Sequence, residues 1–280
     1  MARFGCRSVL RTRSPIVALG LALSFMGGGP HAAAASPAIP DFFVDGGGWA
    51  AANVDLLPPT SGPGPVSSDP AHPYIANSAG LQSNFRVADT ANPILQPWAA
   101  ERMKKANAAV LAGGVGLYAR ISCRPAGVPG WEHFIIEPIY FIQSPKEILL
   151  FFSGDQQVRH IYMNVPHSKN PKPSWYGESV GHYEADSLVV DTIGFNEKTF
   201  IDNYRTPHTD KLHVVERFHR LNGKGLEVDI RVEDPGAFTT PWSAIQRYRP
   251  VRIPYDEEVC IEGNLNLFDY DVPIAQKGDF

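Results

Sequence analysis

The stretch Lys211-Leu212-His213-Val214-Val215-Glu216-Arg217-Phe218-His219-Arg220-Leu221, followed by Asn222-Gly223-Lys224 and then Gly225-Leu226-Glu227-Val228-Asp229-Ile230-Arg231-Val232-Glu233, decides the fold. Apolar and charged residues alternate along both runs, which is the period of a strand with one face buried. A loop over 222–224, with Gly225 free to take positive φ, sets Phe218 against Val228, Glu216 against Ile230 and Val214 against Val232. The other face then pairs His219 with Glu227, Arg217 with Asp229 and His213 with Glu233. A loop one residue shorter or longer puts Phe218 among the charges, so the apolar pattern selects this register. Glu216 is the one carboxylate left on the apolar face.

Working outward, strands are expected at 139–144, 147–153, 158–164, 179–184, 187–193, 211–221, 225–233 and 242–249, with turns at Ser144-Pro145-Lys146 and Gly154-Asp155. The expectation is a mainly β fold: an antiparallel meander forming an eight-stranded up-and-down barrel, or alternatively a sandwich, with one N-terminal helix. The connections 165–178 and 194–210 are the long ones, and long connections on a rigid β scaffold are where binding sites are usually built.

The helix is expected over Gln96 to Ala112, between Asn92-Pro93 and Gly113-Gly114. Trp98, Met103, Ala106 and Val110 recur at helical spacing and form its expected packing stripe. Residues 36–93 are rich in Pro and Gly and read as an extended arm, either wrapped on the body or acting as a lid. The organisation is therefore a signal peptide at 1–35, the arm at 36–93, the helix region at 94–115, a β-barrel domain at 116–250 and a packed tail at 251–280.

The signal peptide rests on Arg3, Arg7, Arg11 and Arg13, the apolar run Ile16 to Met26, and small residues before a cleavage point near Ala35. An organelle transit peptide is the second choice for the same segment. The apolar run is too short for a spanning helix, so no stable membrane insertion is expected. Its removal leaves Cys123 and Cys260, without CxxC spacing, as an expected disulfide in an oxidising compartment, periplasmic or extracellular. A net charge of -4 over 280 residues gives no electrostatic case for nucleic acid. Nothing in the sequence indicates an oligomeric state.

The run Pro173-Ser174-Trp175-Tyr176-Gly177-Glu178-Ser179-Val180-Gly181-His182-Tyr183-Glu184-Ala185-Asp186-Ser187-Leu188-Val189-Val190-Asp191-Thr192, with Pro207-His208-Thr209, Leu212 to Phe218, Asp234-Pro235 and Pro241-Trp242, resembles a large family of exported bacterial proteins. The resemblance covers the region from Cys123 to the C-terminus. It implies export and a β fold and carries no reaction. The family turn reads Glu-Gly-Asp where this chain has Ala185, a departure that costs about 1 kcal/mol if the position needs positive φ.

Three chemical patterns compete. His208, His213 and Glu216 offer metal-ligand types, but His213 and Glu216 differ by an odd number of residues and point to opposite faces, so no metal and no cofactor is expected. Ser174 and Ser179 lack a nucleophile elbow and read as turn and strand serines. Acid/base chemistry is the leading pattern: Glu216 on an apolar face, His182 in a neighbouring hairpin and Asp191 beside Val189 are the candidate catalytic residues. Trp175, Tyr204, His208 and Trp242, in or beside the long connections, are the candidate ligand-binding residues. The function expected is an exported barrel that binds a small apolar or aromatic molecule, with cofactor-independent chemistry of lyase, isomerase or hydrolase type. The alternatives are a non-catalytic carrier and a structural or interaction protein of the cell envelope. The bland reading of Glu216 is a buried structural pair with Arg or Tyr.

Overall fold

In the computed structural model, residues 39–74, 86–114, 123–133, 137–221, 225–257 and 259–260 are described. The signal-peptide segment, the tail beyond 260 and the hairpin loop 222–224 lie outside the described residues. The described residues all fall in the unit Pro37–Phe280.

Nine strands close into one barrel: β1 Gly48–Ala51, β2 Ile139–Gln143, β3 Glu147–Phe152, β4 Gln157–Met163, β5 Glu178–Glu184, β6 Ser187–Ile193, β7 His213–Leu221, β8 Gly225–Glu233 and β9 Trp242–Val251. The fold is thus mainly β and a barrel, which removes the sandwich alternative. The eight expected strands are β2 to β9. The ninth, β1, comes from the arm and closes the sheet by pairing with both β2 and β9. Its Gly48 fits because the position faces the Ile139 carbonyl and the Tyr140 ring, where a Cβ would lie 2.5 Å from the carbonyl oxygen.

The meander breaks once. β4 and β5 run parallel and pair over Ile161↔Ser179, Tyr162↔Val180 and Met163↔Gly181 only. Parallel neighbours need a crossover, and the connection 164–177 supplies it. All other neighbours are antiparallel.

β7 and β8 have the register that the apolar pattern selects, with Phe218↔Val228, Glu216↔Ile230 and Val214↔Val232 buried on the inner face. On the outer face His219 lies 3.3 Å from its cross-strand partner Glu227. Arg217 and His213 instead turn toward β5 and β6, bonding Glu184 and Asp191. Closure of the sheet brings those acids alongside, a proximity that a two-strand register does not contain.

The arm packs on the body as a wrapping segment. Phe42 is fully buried against Phe141 and Phe218, at centroid distances of 5.0 and 6.5 Å, while Trp49 donates to the Phe42 carbonyl at 2.7 Å. Farther on, Leu57 bridges to Ile245 of β9. The helix α1 spans Pro97–Leu111; of the expected stripe Met103 is buried, and Ala99 and Asn107 complete the buried face in place of Trp98, Ala106 and Val110. Asn107 both accepts from the Ala88 amide and donates to the Ala88 carbonyl, at 2.9 Å each, and this fixes the helix rotation. Trp98 is consequently 41% exposed. Cys123 and Cys260 form the expected disulfide, with Cα atoms 5.6 Å apart. No helix among the described residues is long and apolar enough to cross a membrane.

Ala185, in the turn between β5 and β6, has φ +51°. That is the left-handed region in which a Cβ is strained, so alanine carries a conformational cost here that glycine would not. Ala185→Gly should raise stability by about 1 kcal/mol, or roughly 2–4 °C in Tm for a chain of this size, as read by thermal unfolding. An unchanged or lower Tm would place the strain elsewhere.

Candidate functional site

The alternation of β4 turns Arg159, Ile161 and Met163 into the barrel, where all three are buried. The same period brings Ser179 of β5, Thr192 of β6 and Glu216 of β7 inward beside Arg159. The guanidinium then bonds across all three strands: Nε donates to Ser179 Oγ at 3.0 Å, Nη2 to Thr192 Oγ1 at 2.8 Å, and Nη1 to Glu216 Oε1 at 2.9 Å. Nη2 also bonds Glu216 Oε2, completing a bidentate pair. Ser179 and Thr192 share a further hydrogen bond of 3.0 Å.

A second carboxyl reaches the same place from outside the sheet. The 3-10 turn Gly130–His133 inserts Trp131 and Glu132 into the interior, with Glu132 fully buried. β9 holds this turn: Gln246 Nε2 donates to the Glu132 carbonyl at 2.6 Å, and the Tyr248 hydroxyl donates to Glu132 Oε2 at 3.2 Å. The Trp131 ring stacks on Tyr248 at 6.3 Å and lies 6.4 Å from Phe152.

The ion pair of Arg159 with Glu216 and the carboxyl group of Glu132 beside it are all buried. Burial first, and then the Glu216 carboxylate that it contacts, pushes Glu132 well above the usual carboxylate range. Of the two, Glu132 is thus the group made to hold its proton more tightly, and Glu216 is the one ion-paired to Arg159. Burial, followed by Glu132, likewise raises the Tyr248 phenol. Nearby, Tyr176 donates to Asp155 Oδ2 at 2.7 Å, and burial followed by that carboxylate raises Tyr176 well above the ordinary phenol. Beside Arg159 and Tyr176 lies a void of about 10 Å³, lined also by Trp131 and Phe152, with neither glutamate on its wall. It is the size of one water molecule. Glu132 Oε1 and Trp131 Nε1 are buried with no conventional hydrogen-bond partner among the described residues.

The expected catalytic trio does not assemble. Glu216 is inside, whereas His182 is exposed on the outer wall beside Glu184, with Nε2 2.8 Å from its Oε1. Asp191 also faces outward, where its Oδ1 lies 3.0 Å from His167 Nε2 and 2.9 Å from His213 Nε2. Hydrogen bonding from His213 lowers the Asp191 pKa and raises that of His213. The face shared by His182 and Val180 is real, but it is the outer one. The crossover 164–177 covers part of that wall where His167 bonds Asp191.

The expected ligand-binding residues are dispersed as well. Trp175 is half-buried, with Lys198 Nζ 5.7 Å from its ring. Trp242 is buried against Phe238 at 5.7 Å. Tyr204 lies under the arm and bonds Ser68 at 2.8 Å and Asp55 at 3.0 Å. His208 donates from Nδ1 to the Thr209 carbonyl at 3.0 Å and accepts at Nε2 from the Thr199 hydroxyl at 2.7 Å, as a neutral imidazole does. Burial lowers its pKa accordingly. His208, His213 and Glu216 occupy a loop, the outer wall and the interior, and no group of three or more His, Cys, Asp or Glu among the described residues is arranged to hold a metal.

In the 201–206 loop, burial raises Asp202 to about 6. The folded protein then keeps a proton on Asp202 that the unfolded chain releases near 3.8. This contribution is fully present below the unfolded pKa and is lost as pH rises through the folded one. Asp202→Asn should therefore gain on wild type by roughly 2–3 kcal/mol between pH 4 and pH 6.5, as measured by denaturant unfolding at each pH. A constant difference would show that Asp202 titrates normally.

Arg159 and Glu132 are the site residues that sequence reasoning missed. Comparison with models of protein families, with curated proteins and with solved structures found no match.

Proposed function

We propose that the chain is an exported barrel that binds a small apolar or aromatic molecule against the Arg159, Glu132 and Glu216 cluster and moves a proton on it, as a lyase, isomerase or hydrolase does. One observation carries the reading: a fully buried carboxyl group, Glu132, lies against a second one, Glu216, that is itself ion-paired to Arg159. A general acid must hold its proton at neutral pH close to a group that can take it back. Glu132 fits the acid, and Glu216, fixed by Arg159, fits its partner. Trp131, Phe152 and Tyr176 supply apolar walls. The void admits no more than a water, so a ligand enters as the side chains lining it rearrange, while Gln246 and Tyr248 hold Glu132 in place. Export is supported by the N-terminal composition and by the disulfide.

The test begins with protein purified from its native host. Mass spectrometry should find one small molecule bound, converted by the wild type and converted at least about a hundredfold more slowly by Glu132→Gln. A molecule bound but left unchanged by the wild type would make the barrel a carrier. Full turnover by Glu132→Gln would reject the acid/base assignment.

A second reading, a structural or interaction barrel of the cell envelope, is favoured by a different observation. Arg159 commits all three guanidinium nitrogens to β5, β6 and β7, next to the short parallel junction of β4 with β5. That arrangement braces this short seam of the wall whether or not a ligand binds. Finding no bound molecule would support it.

A further inference from the structure

His167 is the peg that holds the crossover 164–177 to the barrel. Asn164 donates its amide to the Gly181 carbonyl at 2.7 Å, and Ser174 donates its own to the Gly194 carbonyl at 3.1 Å. Between these two ends no backbone–backbone hydrogen bond ties the span to the wall, and the bonds that do come from His167 and Ser168. The imidazole is partly buried between carboxylates of two different strands: Nδ1 lies 3.0 Å from Glu178 Oε1 on β5, and Nε2 lies 3.0 Å from Asp191 Oδ1 on β6. The Ser168 amide donates to the same Glu178 Oε1 at 2.7 Å. From β7, His213 Nε2 approaches Asp191 Oδ1 at 2.9 Å, where Glu233 and Arg231 of β8 also act on His213.

Counting protons makes this cluster pH-sensitive. Hydrogen bonding from Ser168 first, and then from His167, lowers Glu178, and hydrogen bonding from His213 lowers Asp191. Both are therefore carboxylates, which only accept. A neutral imidazole has one N–H and serves one of the two, whereas the imidazolium has two and serves both. With both histidines protonated, two positive charges balance two negative ones; with both neutral, the carboxylates are left uncompensated. We propose that His167 is a proton-operated latch: as the imidazolium it pins the crossover to β5 and β6 together, and as pH rises it gives up one carboxylate and residues 165–172 lift from the wall. The latch is complete below the range in which imidazoles titrate, about pH 5 to 8, and weakens through it. Lifting uncovers Glu178 and Asp191 and leaves the interior cluster in place, because Tyr176 stays tied to Asp155 beyond the second end.

Two measurements on the full chain test the latch. Nitrogen-15 NMR of the histidine rings at pH 5.5 should show both nitrogens of His167 protonated. Hydrogen exchange of the Ser168 amide, corrected for the intrinsic rate at each pH, should show protection about tenfold lower at pH 8 than at pH 5.5, the effect of losing one charge-assisted hydrogen bond. His167→Gln, which keeps a single donor group, should hold the pH 8 level at both pH values. His219→Gln, on the outer wall beside Glu227, should keep the wild-type response. A His167 ring with one proton at pH 5.5, protection that does not change with pH, or a change that survives in His167→Gln overturns the proposal.

Discussion

Replacing Glu132 and Glu216 together by Gln should lower stability at neutral pH by about 3–5 kcal/mol, the cost of leaving a buried charge uncompensated. Each single replacement should cost far less. Glu132 is already uncharged beside Glu216, so Glu132→Gln substitutes one neutral group for another of nearly the same shape. In Glu216→Gln the Arg159 charge remains, but Glu132 is close enough to feel it and can release its proton to become the counter-ion. That single change should cost about 1–2 kcal/mol, mainly for less well-aligned hydrogen bonds. Only the double variant leaves Arg159 without a carboxylate in the cluster. The predicted signature in a double-mutant cycle is a coupling of about 2–3 kcal/mol, near the upper end for neighbouring residues. Additive single effects would mean that the two carboxyl groups do not exchange roles.

Loss of the Cys123–Cys260 disulfide should have the other large effect. The bond closes a sequence separation of 137, and in the chain-entropy model a loop of that size contributes about 4–5 kcal/mol by restricting the unfolded chain. Cys123→Ser/Cys260→Ser, or reduction of the wild type, should therefore lower Tm by roughly 10–20 °C. Reduction should produce no further change in the double-serine protein. A wild-type Tm that is the same with and without reductant would contradict the contribution assigned to this bond.

The parts of the fold legible in the sequence are those governed by period two. Leu212 to Leu221 and Gly225 to Glu233 could be placed in register because one slip would have moved Phe218 among charges. β1 was hidden because its four residues, Gly48 to Ala51, lie in a Gly- and Pro-rich arm and are buried throughout, so they show no alternation. The parallel junction was hidden because periodicity describes a strand and not its direction relative to a neighbour. The site divides in the same way. Arg159 shares parity with Ile161 and Met163, so the alternation of that strand already placed it inside, opposite a carboxylate in need of a partner. Glu132 follows Pro129-Gly130-Trp131 in a segment with no period, and only the packing of that turn under Gln246 and Tyr248 brings it to Glu216. For His182 and Asp191 the parity was sound, but parity does not say which face is inner, and the valines that share theirs, Val180 and Val189, lie on the outer wall.

The central claim is that the barrel interior stores one proton between Glu132 and Glu216 at neutral pH. The infrared absorption of a protonated carboxyl group measures it most directly, at pH 8, where exposed carboxyl groups are ionised. The wild type should show such a band. It should be lost or reduced both in Glu132→Gln, which removes the group, and in Glu216→Gln, where Glu132 ionises to balance Arg159. A wild-type spectrum without the band, or one that Glu132→Gln leaves unchanged, would contradict the shared proton.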